Sequence, residues 1–528
     1  MHTGQCPATN AIRVERVKRA AKAGRAKEWF FALSLANLAM IHVWGVLLYA
    51  SPTDRYYLPH YGAPDYIAAL AILAALTVTV RWLRAASLRT QRPASRFLAQ
   101  LACAAALFAP LDYLREALGV TRFELLQLLA DLPAPVQIAT AGVALAGAAL
   151  ALAKGRLVVG AVFFGVLVLA PLAVGNAAQC AWRAIVARDS AIDGFGPAAR
   201  SASPATDANE RRAVWIVFDE LDYALAFPDR PASLALPELD RLRRESFFAT
   251  AAEEAASSTG KAIPSLLLGR PLRTAKPVSE SDLEITFDAE PGEPRRLSEL
   301  DHFAARVRQR GLGLDLLGIY HPYCRLFAGD YRTCHWEPFL PGGAVLLPVD
   351  FPSVLLSQLH KLLPLHHRGE HIASIRRTLA LGERLTADPS LDVAYIHLPI
   401  PHSPHVWDAR RARFTRLRFD AGGYRDQLAL ADRALGRMRR AMEDAGTWER
   451  STLLVTSDHG WRFAESHGRE RDHRVPFLLK LAREREPLEY TRRFDAWRAP
   501  EVLLRALDGE LRTAADVAGW LDSHPDGE

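Results

Sequence analysis

The first third of the chain consists of long apolar runs separated by clusters of Arg and Lys. Apolar stretches of about 20 residues are the length a helix needs to cross a bilayer. Five segments fit that description: residues 29–50, 66–80, 97–111, 136–153 and 157–177. The second and third are the weakest, being short or interrupted by Pro110. A cleaved signal peptide does not explain the first run, because further apolar runs follow it. Helices of a soluble bundle carry a polar face, and these mostly do not.

The cations alternate in a way that orients these runs. Arg13, Arg16, Lys18, Arg19, Lys22, Arg25 and Lys27 precede the first. Arg81, Arg84, Arg89, Arg92 and Arg96 separate the second from the third, and Lys154 and Arg156 lie between the fourth and fifth. The intervening loops hold only Arg55, and Arg115 and Arg122 mixed with acids. The expectation is an integral, multi-pass membrane protein. Residues 1–28 form a basic cytoplasmic tail, 29–178 a five-helix anchor and 179–210 a small, polar linker. The remainder, 211–528, lies outside, periplasmic or extracellular. The net charge of +6 follows from the Arg excess beside the apolar runs. Membrane orientation accounts for it, and no nucleic-acid module is visible.

From residue 211 short apolar strands alternate with amphipathic helices. Strands are expected at 213–218, 312–320, 392–397, 452–456 and 475–479, and helices at 238–244, 300–309, 372–385 and 424–445. This alternation predicts an α/β domain with a largely parallel central sheet covered by helices on both faces. Ligands of such sheets gather at the carboxyl ends of strands. Asp219, His397 and the run Ser457-Asp458-His459-Gly460 all fall at such ends. Five Cys exclude a disulfide-rich scaffold. Cys324 and Cys334 are candidates for one disulfide in the outer region, and Cys6, Cys103 and Cys180 suggest no chemistry.

Asp458 and His459 occupy a strand end where the chain turns, so both can reach one ion, with Gly460 permitting the turn. Asp219 offers a further carboxylate, and Glu220 beside it either helps or faces solvent. Oxygen and nitrogen ligands together favour zinc or manganese over calcium. Bland readings exist for each: a helix cap for Asp458, a turn residue for Asp219, surface loops for the histidines.

Together with Ser257-Ser258-Thr259-Gly260-Lys261-Ala262-Ile263-Pro264-Ser265-Leu266-Leu267-Leu268-Gly269, these segments resemble the alkaline phosphatase/sulfatase superfamily. Sulfatases carry a Cys or Ser six residues before the Ser of a Ser-Leu-Leu-Thr-Gly run, and Thr259 stands at that distance from Ser265. The phosphoethanolamine and phosphoglycerol transferases of the superfamily use a Thr there. The resemblance therefore implies Thr259 as nucleophile and fourth metal ligand beside Asp219, Asp458 and His459, with Ser258 and Ser257 as alternatives. A hydroxyl needs such activation, because it is a poor nucleophile at its free pKa. Classical sulfatases also place a Pro two residues on and an Arg four residues on, where this chain has Lys261 and Ile263. Thr is not the residue they convert to an aldehyde, so phosphoryl chemistry is implied over sulfate ester cleavage.

The segment His397-Leu398-Pro399-Ile400-Pro401-His402-Ser403-Pro404-His405 is similar to the superfamily's Pro-His-x-Pro run, which implies that His402 contacts the ester. His405 is an alternate, or a ligand to a second metal. The resemblance also implies a substrate-contacting or metal-binding residue near 467–474, with His473 preferred and His467 and Arg474 as alternates. One or two ions fit this set. The expected activity is transfer of a phospho head group from a phosphodiester donor through a phospho-Thr intermediate. The expected partner is a membrane lipid or envelope glycan. A hydrolase using water shares the first step, and a non-catalytic membrane regulator is a third reading. Segments 271–300 and 337–368 read as insertions around the donor pocket. Arg295-Arg296 and the basic cluster His360-Lys361, His366-His367-Arg368 read as solvated surface.

Overall fold

A computed structural model describes residues 7–90, 92, 103, 106–117, 133–153, 155–187, 212–288, 292–340, 343–344, 351–360, 366–416, 422–465 and 468–524. They fall into two compact units that interleave in sequence. One comprises Met1–Ala50, Tyr61–Asp189 and Pro348–Pro364, the other Ser51–His60, Ser190–Leu347 and Leu365–Glu528. The division expected near residue 211 thus has two exceptions: ten residues between the first two apolar runs join the second unit, and 348–364 join the first.

The first unit is helical. Two stretches, Ala63–Ser87 and Gly160–Val186, are long and apolar enough to cross a membrane. A third passes the same test only if Lys22–Ala39 and Ile41–Leu47, which meet at 66°, are taken together. The described residues therefore show two or three spanning lengths in place of a clear five-helix bundle. The expected fourth run is a helix of 20 residues, Ala134–Ala153. Most of the expected run 97–111 and the expected linker lie outside the described residues. Cys180 sits inside the last long helix, buried in one cluster with Tyr66, Ala69 and Leu73. Two polar side chains in the apolar setting are paired: Asn176 donates to Asn37 at 3.0 Å, and Trp44 donates to the Asn37 carbonyl at 3.2 Å.

The second unit is built on an eight-stranded sheet. Its strands are β1 (Ala213–Asp219), β2 (Phe247–Ala249), β3 (Leu314–Ile319), β4 (Thr333–Glu337), β5 (Val393–Pro401), β6 (Thr452–Ser457), β7 (Phe477–Lys480) and β8 (Leu488–Tyr490). Their order is β8-β2-β7-β6-β1-β5-β3-β4. Only β7 runs antiparallel to its neighbours, so the sheet is mixed, with seven strands pointing one way. β1 is buried along its whole length, as a strand covered on both faces must be.

Alternation along the strands sorts the core into two layers. Ala213, Trp215 and Val217 of β1 face one cluster, which includes Ile263 and Leu266 of helix Thr259–Leu268 and Phe303 and Val307 of helix Phe303–Gln309. Val214, Ile216 and Phe218 face the other, with Ile375 of helix His366–Ala387 and Leu428, Leu435 and Met438 of helix Gly423–Asp444. The insertion at 271–300 contains a small antiparallel sheet of Leu272–Ser279, Asp282–Phe287 and Arg295–Arg296. In the insertion at 337–368, helix Phe351–His360 falls in the first unit. Cys324 and Cys334 form a disulfide that ties the loop after β3 to β4.

Trp215 anchors β1. It is fully buried, its indole donates to Thr456 Oγ1 at 3.0 Å, and Phe303 and Tyr395 pack edge-on to it at 5.3 and 5.2 Å. Trp215→Ala removes these contacts and leaves a cavity, which should cost about 3–5 kcal/mol. Denaturant unfolding of the detergent-solubilised protein, followed by tryptophan emission, checks this.

Candidate active site

β1 and β6 are neighbours, and their carboxyl ends carry the acidic residues. The β1–β5 register slips between Phe218 and Asp219, so Asp219 pairs with Pro401 instead of continuing the ladder. Its carbonyl accepts from the His402 amide at 3.1 Å. Glu220 follows at φ 69°, a left-handed conformation costly for a residue with a Cβ. Tyr424 holds that turn, donating to the Glu220 carbonyl and accepting from the Asp222 amide at 3.0 Å.

At the end of β6, Ser457 ties the two strands together. Its Oγ accepts from the Leu221 amide at 2.8 Å and lies 2.9 Å from the Phe218 carbonyl and 2.8 Å from that of His459. Asp458 Oδ1 accepts from the amides of Glu220 at 3.0 Å and His459 at 2.7 Å. Its Oδ2 is buried without a hydrogen-bond partner. His459 Nδ1–H donates to the Gly460 carbonyl at 2.8 Å, which leaves Nε2 with a lone pair. Nε2 stands 3.5 Å from Asp458 Oδ2. Gly460 serves a purpose other than the expected flexible turn. A Cβ there would lie 2.4 Å from the Asp472 carbonyl oxygen, so only glycine fits.

Thr259 is the first residue of helix Thr259–Leu268. Its hydroxyl lies 3.4 Å from Asp219 Oδ1 and 3.2 Å from His459 Nε2. Ser257 and Ser258 are exposed, whereas Thr259 is buried. One ligand atom each from Asp219, Asp458 and His459 lie within 4.8 Å of one another. Two carboxylates, an imidazole lone pair and a hydroxyl converging around an unpartnered buried oxygen suit a divalent cation. Burial, then the charges of Asp458 and Glu220, push the Asp219 carboxyl well above the usual carboxylate range. Burial also raises Glu220, opposed by Arg462 and His459.

The remaining histidines lie at different removes. His402 is buried, its Nδ1 at the Ser403 carbonyl and its Nε2 at Arg462. Burial and that guanidinium hold its pKa well below the usual value, so it stays neutral. His397 is deeper, its Nδ1 2.9 Å from the Tyr323 hydroxyl, and burial brings it down to about 4. His405 packs edge-on against Tyr424. His473 is mostly exposed and bonds Glu254 at 2.8 Å. Arg474 turns to Asp472 and to the Tyr223 ring. His467 lies outside the described residues.

Sequence reasoning passed over two charged residues. Glu254, buried, accepts from the Gly460 amide at 2.9 Å and from Arg471 at 3.1 Å, and also bonds His473. It therefore fastens the Asp458-His459 turn to the segment before β7. Arg462 pairs with Glu220 and reaches His402. Its position two residues after Gly460 was the available signal. Glu254 had none, since its strand end became legible only in the fold.

No family model matches the chain, and no curated protein matches it. Several solved structures are similar in fold. Ps i-CgsB in complex with k-i-k-neocarrahexaose is 18% identical, covering 57% of this chain and 72% of that one, with a TM-score of 0.41. An alkaline phosphatase superfamily protein from Vibrio parahaemolyticus is 14% identical over 56% and 66%, at 0.37. The phosphonate monoester hydrolase of Agrobacterium radiobacter is 14% identical over 56% and 74%, at 0.38.

The charge balance of the site predicts a pH-dependent metal effect. Above its unfolded pKa of 3.8 and below its raised native value, Asp219 binds more protons folded than unfolded. Without a cation, stability therefore falls as pH rises through that window. Zinc or manganese should raise the unfolding temperature of chelator-treated protein near neutral pH. The gain should shrink at acid pH, where protons compete, and Asp219→Asn should remove most of it. Thermal scans at several pH values read all three.

Proposed function

We propose that this chain is a membrane-anchored, metal-dependent enzyme of the alkaline phosphatase/sulfatase superfamily that cleaves a phosphodiester through Thr259. The observation that carries the reading is the Thr259 hydroxyl, buried between Asp219 and His459 beside the unpartnered oxygen of Asp458. Asp219, Asp458, His459 and Thr259 would hold one zinc or manganese ion, which when bound supplies the charge that makes a hydroxyl a competent nucleophile. Thr259 Oγ1 then attacks the phosphorus and expels one alcohol of the diester, which leaves with the hydroxyl proton, so that Thr259 carries the phosphoryl group with its remaining ester substituent. An acceptor hydroxyl displaces Thr259 in a second step.

The neighbours fit that role. The first-turn amides of the helix that opens at Thr259 favour an anionic ester. Arg462, held by Glu220 and His402, adds a permanent positive charge that acts on Asp219. A neutral His402 orients Arg462 instead of acting as a strong acid. His473 is a more distant substrate contact, positioned by Glu254.

Apolar helices of spanning length accord with a lipid donor. In this reading the expected five runs all cross the bilayer, with the basic N-terminus inside and the catalytic unit outside. Protease added to intact cells should then remove the catalytic unit while an N-terminal tag stays protected. Digestion of the tag would reverse the topology.

The chemistry is tested on the full-length protein in detergent, with zinc or manganese and aryl phosphodiester, phosphomonoester and sulfate substrates. Thr259→Ala should lower diester cleavage at least about a thousandfold, as loss of a nucleophile does. Mass spectrometry of quenched wild type should find Thr259 esterified by the phosphoryl group with the diester's remaining substituent. Product without an acceptor alcohol would identify a hydrolase using water. Preference for the sulfate ester would refute the phosphoryl assignment. No cleavage together with no metal binding would leave the regulatory reading.

A further inference from the structure

Residues Ser51–His60 stand between two apolar helices in sequence, yet they belong to the catalytic unit. A capping box starts their helix, Pro52–Tyr57: Ser51 Oγ accepts from the Asp54 amide at 3.1 Å, and the Asp54 carboxylate accepts from the Ser51 amide at 2.9 Å. Arg325 clamps the far end. Its guanidinium donates to the carbonyls of Arg55, Tyr56 and Leu58 at 3.3, 3.0 and 2.9 Å and lies over the Trp336 ring. Tyr56 is wholly buried in the same core layer as Tyr323, Phe327 and Trp336.

The buried hydroxyl of Tyr56 lies 2.7 Å from His321 Nδ1, and His321 Nε2 lies 3.2 Å from the carbonyl oxygen of Thr259. The chemistry of the two ends fixes the protons. A carbonyl only accepts, so Nε2 carries the hydrogen and donates to Thr259. Nδ1 then holds a lone pair, which accepts the Tyr56 O–H. Beside this chain, Tyr57 packs on Tyr320 at 4.9 Å, and the Tyr320 hydroxyl lies 3.3 Å from where a Cβ on Gly260 would stand. Both tyrosines of the loop thus bear on the two residues that open the nucleophile's helix.

We propose that Tyr56 is a positioning residue for Thr259, acting through His321, and that the catalytic site is incomplete without the loop Ser51–His60. The inference rests on the reading of Thr259 as nucleophile. Without the Tyr56 hydroxyl, the His321 proton can move to Nδ1. A lone pair would then face the Thr259 carbonyl, and the first turn of its helix would lose its tether. The hydroxyl of Thr259 sits on that turn.

The test uses full-length protein in detergent and an aryl phosphodiester. Tyr56→Phe should lower kcat about tenfold, the scale of one buried hydrogen bond left unmade, with KM changed less than about twofold. His321→Ala should show a similar fall, and the double variant should be no worse than His321→Ala alone. Losses that multiply, or an unchanged kcat in Tyr56→Phe, would overturn the proposal. Nitrogen-15 shifts of labelled histidine give a readout independent of activity: His321 protonated at Nε2 in wild type, and a tautomer mixture in Tyr56→Phe. If wild type cleaves no ester, the functional reading fails, and the tautomer shift still decides whether Tyr56 governs His321. If Tyr56→Phe does not fold, Arg325→Met loosens the clamp and keeps the hydroxyl. It should expose Arg55 to trypsin and lower kcat. A chain cut after Arg55 that keeps full activity refutes the role.

Discussion

Three carboxylates, Asp219, Glu220 and Asp458, meet at the ends of two adjacent buried strands with almost no access to solvent. Charges of like sign so close cannot all ionise without compensation. Arg462 answers Glu220 directly and Asp219 from farther off, and two backbone amides hold one oxygen of Asp458. The second oxygen of Asp458 and the lone pair of His459 face each other at 3.5 Å with no proton donor shared between them. A divalent cation would offset that arrangement. The sheet order, the slip at Asp219 and the left-handed turn at Glu220 all serve to gather those groups.

Such a site holds its shape only if the surrounding groups are fixed. Ser457 joins the ends of β1 and β6 through one hydroxyl, Tyr424 closes the Glu220 turn, and Glu254 binds the Gly460 amide. Each of these bonds is buried or nearly so, where an unmade partner costs about 1–3 kcal/mol. The supporting groups thus make alternative positions of Asp458 and His459 expensive before any ligand arrives.

How far the site was legible in the sequence follows from what each residue's position depends on. Asp219, Asp458 and His459 end apolar strands, and strand ends can be read from local pattern. Thr259 stood out only through the superfamily resemblance, which implies a nucleophile six residues before Ser265. The central strands were found from local pattern as well, though β5 extends to Pro401, past its expected end at 397. The edge strands β4 and β8, and β2 next to β8, are three to five residues long and carry no clear alternation, and β7 reverses direction, which no local pattern reports. That reversal has a consequence for His473. Lying before β7, it comes to the same end of the sheet as Asp458, which follows β6. Glu254, His321 and Tyr56 depend on tertiary contacts, and nothing in their immediate sequence marks them.

The loop Ser51–His60 precedes residue 211 in sequence yet belongs to the same compact unit as the sheet. Tyr56 and His321 are 265 positions apart, and such a separation looks prohibitive for a structural bond. Closure entropy grows only logarithmically with length, each doubling costing about 0.6 kcal/mol. A fully buried tyrosine, a bonded hydroxyl and three carbonyls on one guanidinium outweigh that increment. The same contacts act in the other direction on a truncated chain. Removing the loop leaves Arg325 without three acceptors and His321 without its donor, inside a core that has lost an aromatic side chain. A fragment that begins at residue 211 therefore lacks part of its own core, and the helix that opens at Thr259 lacks its tether.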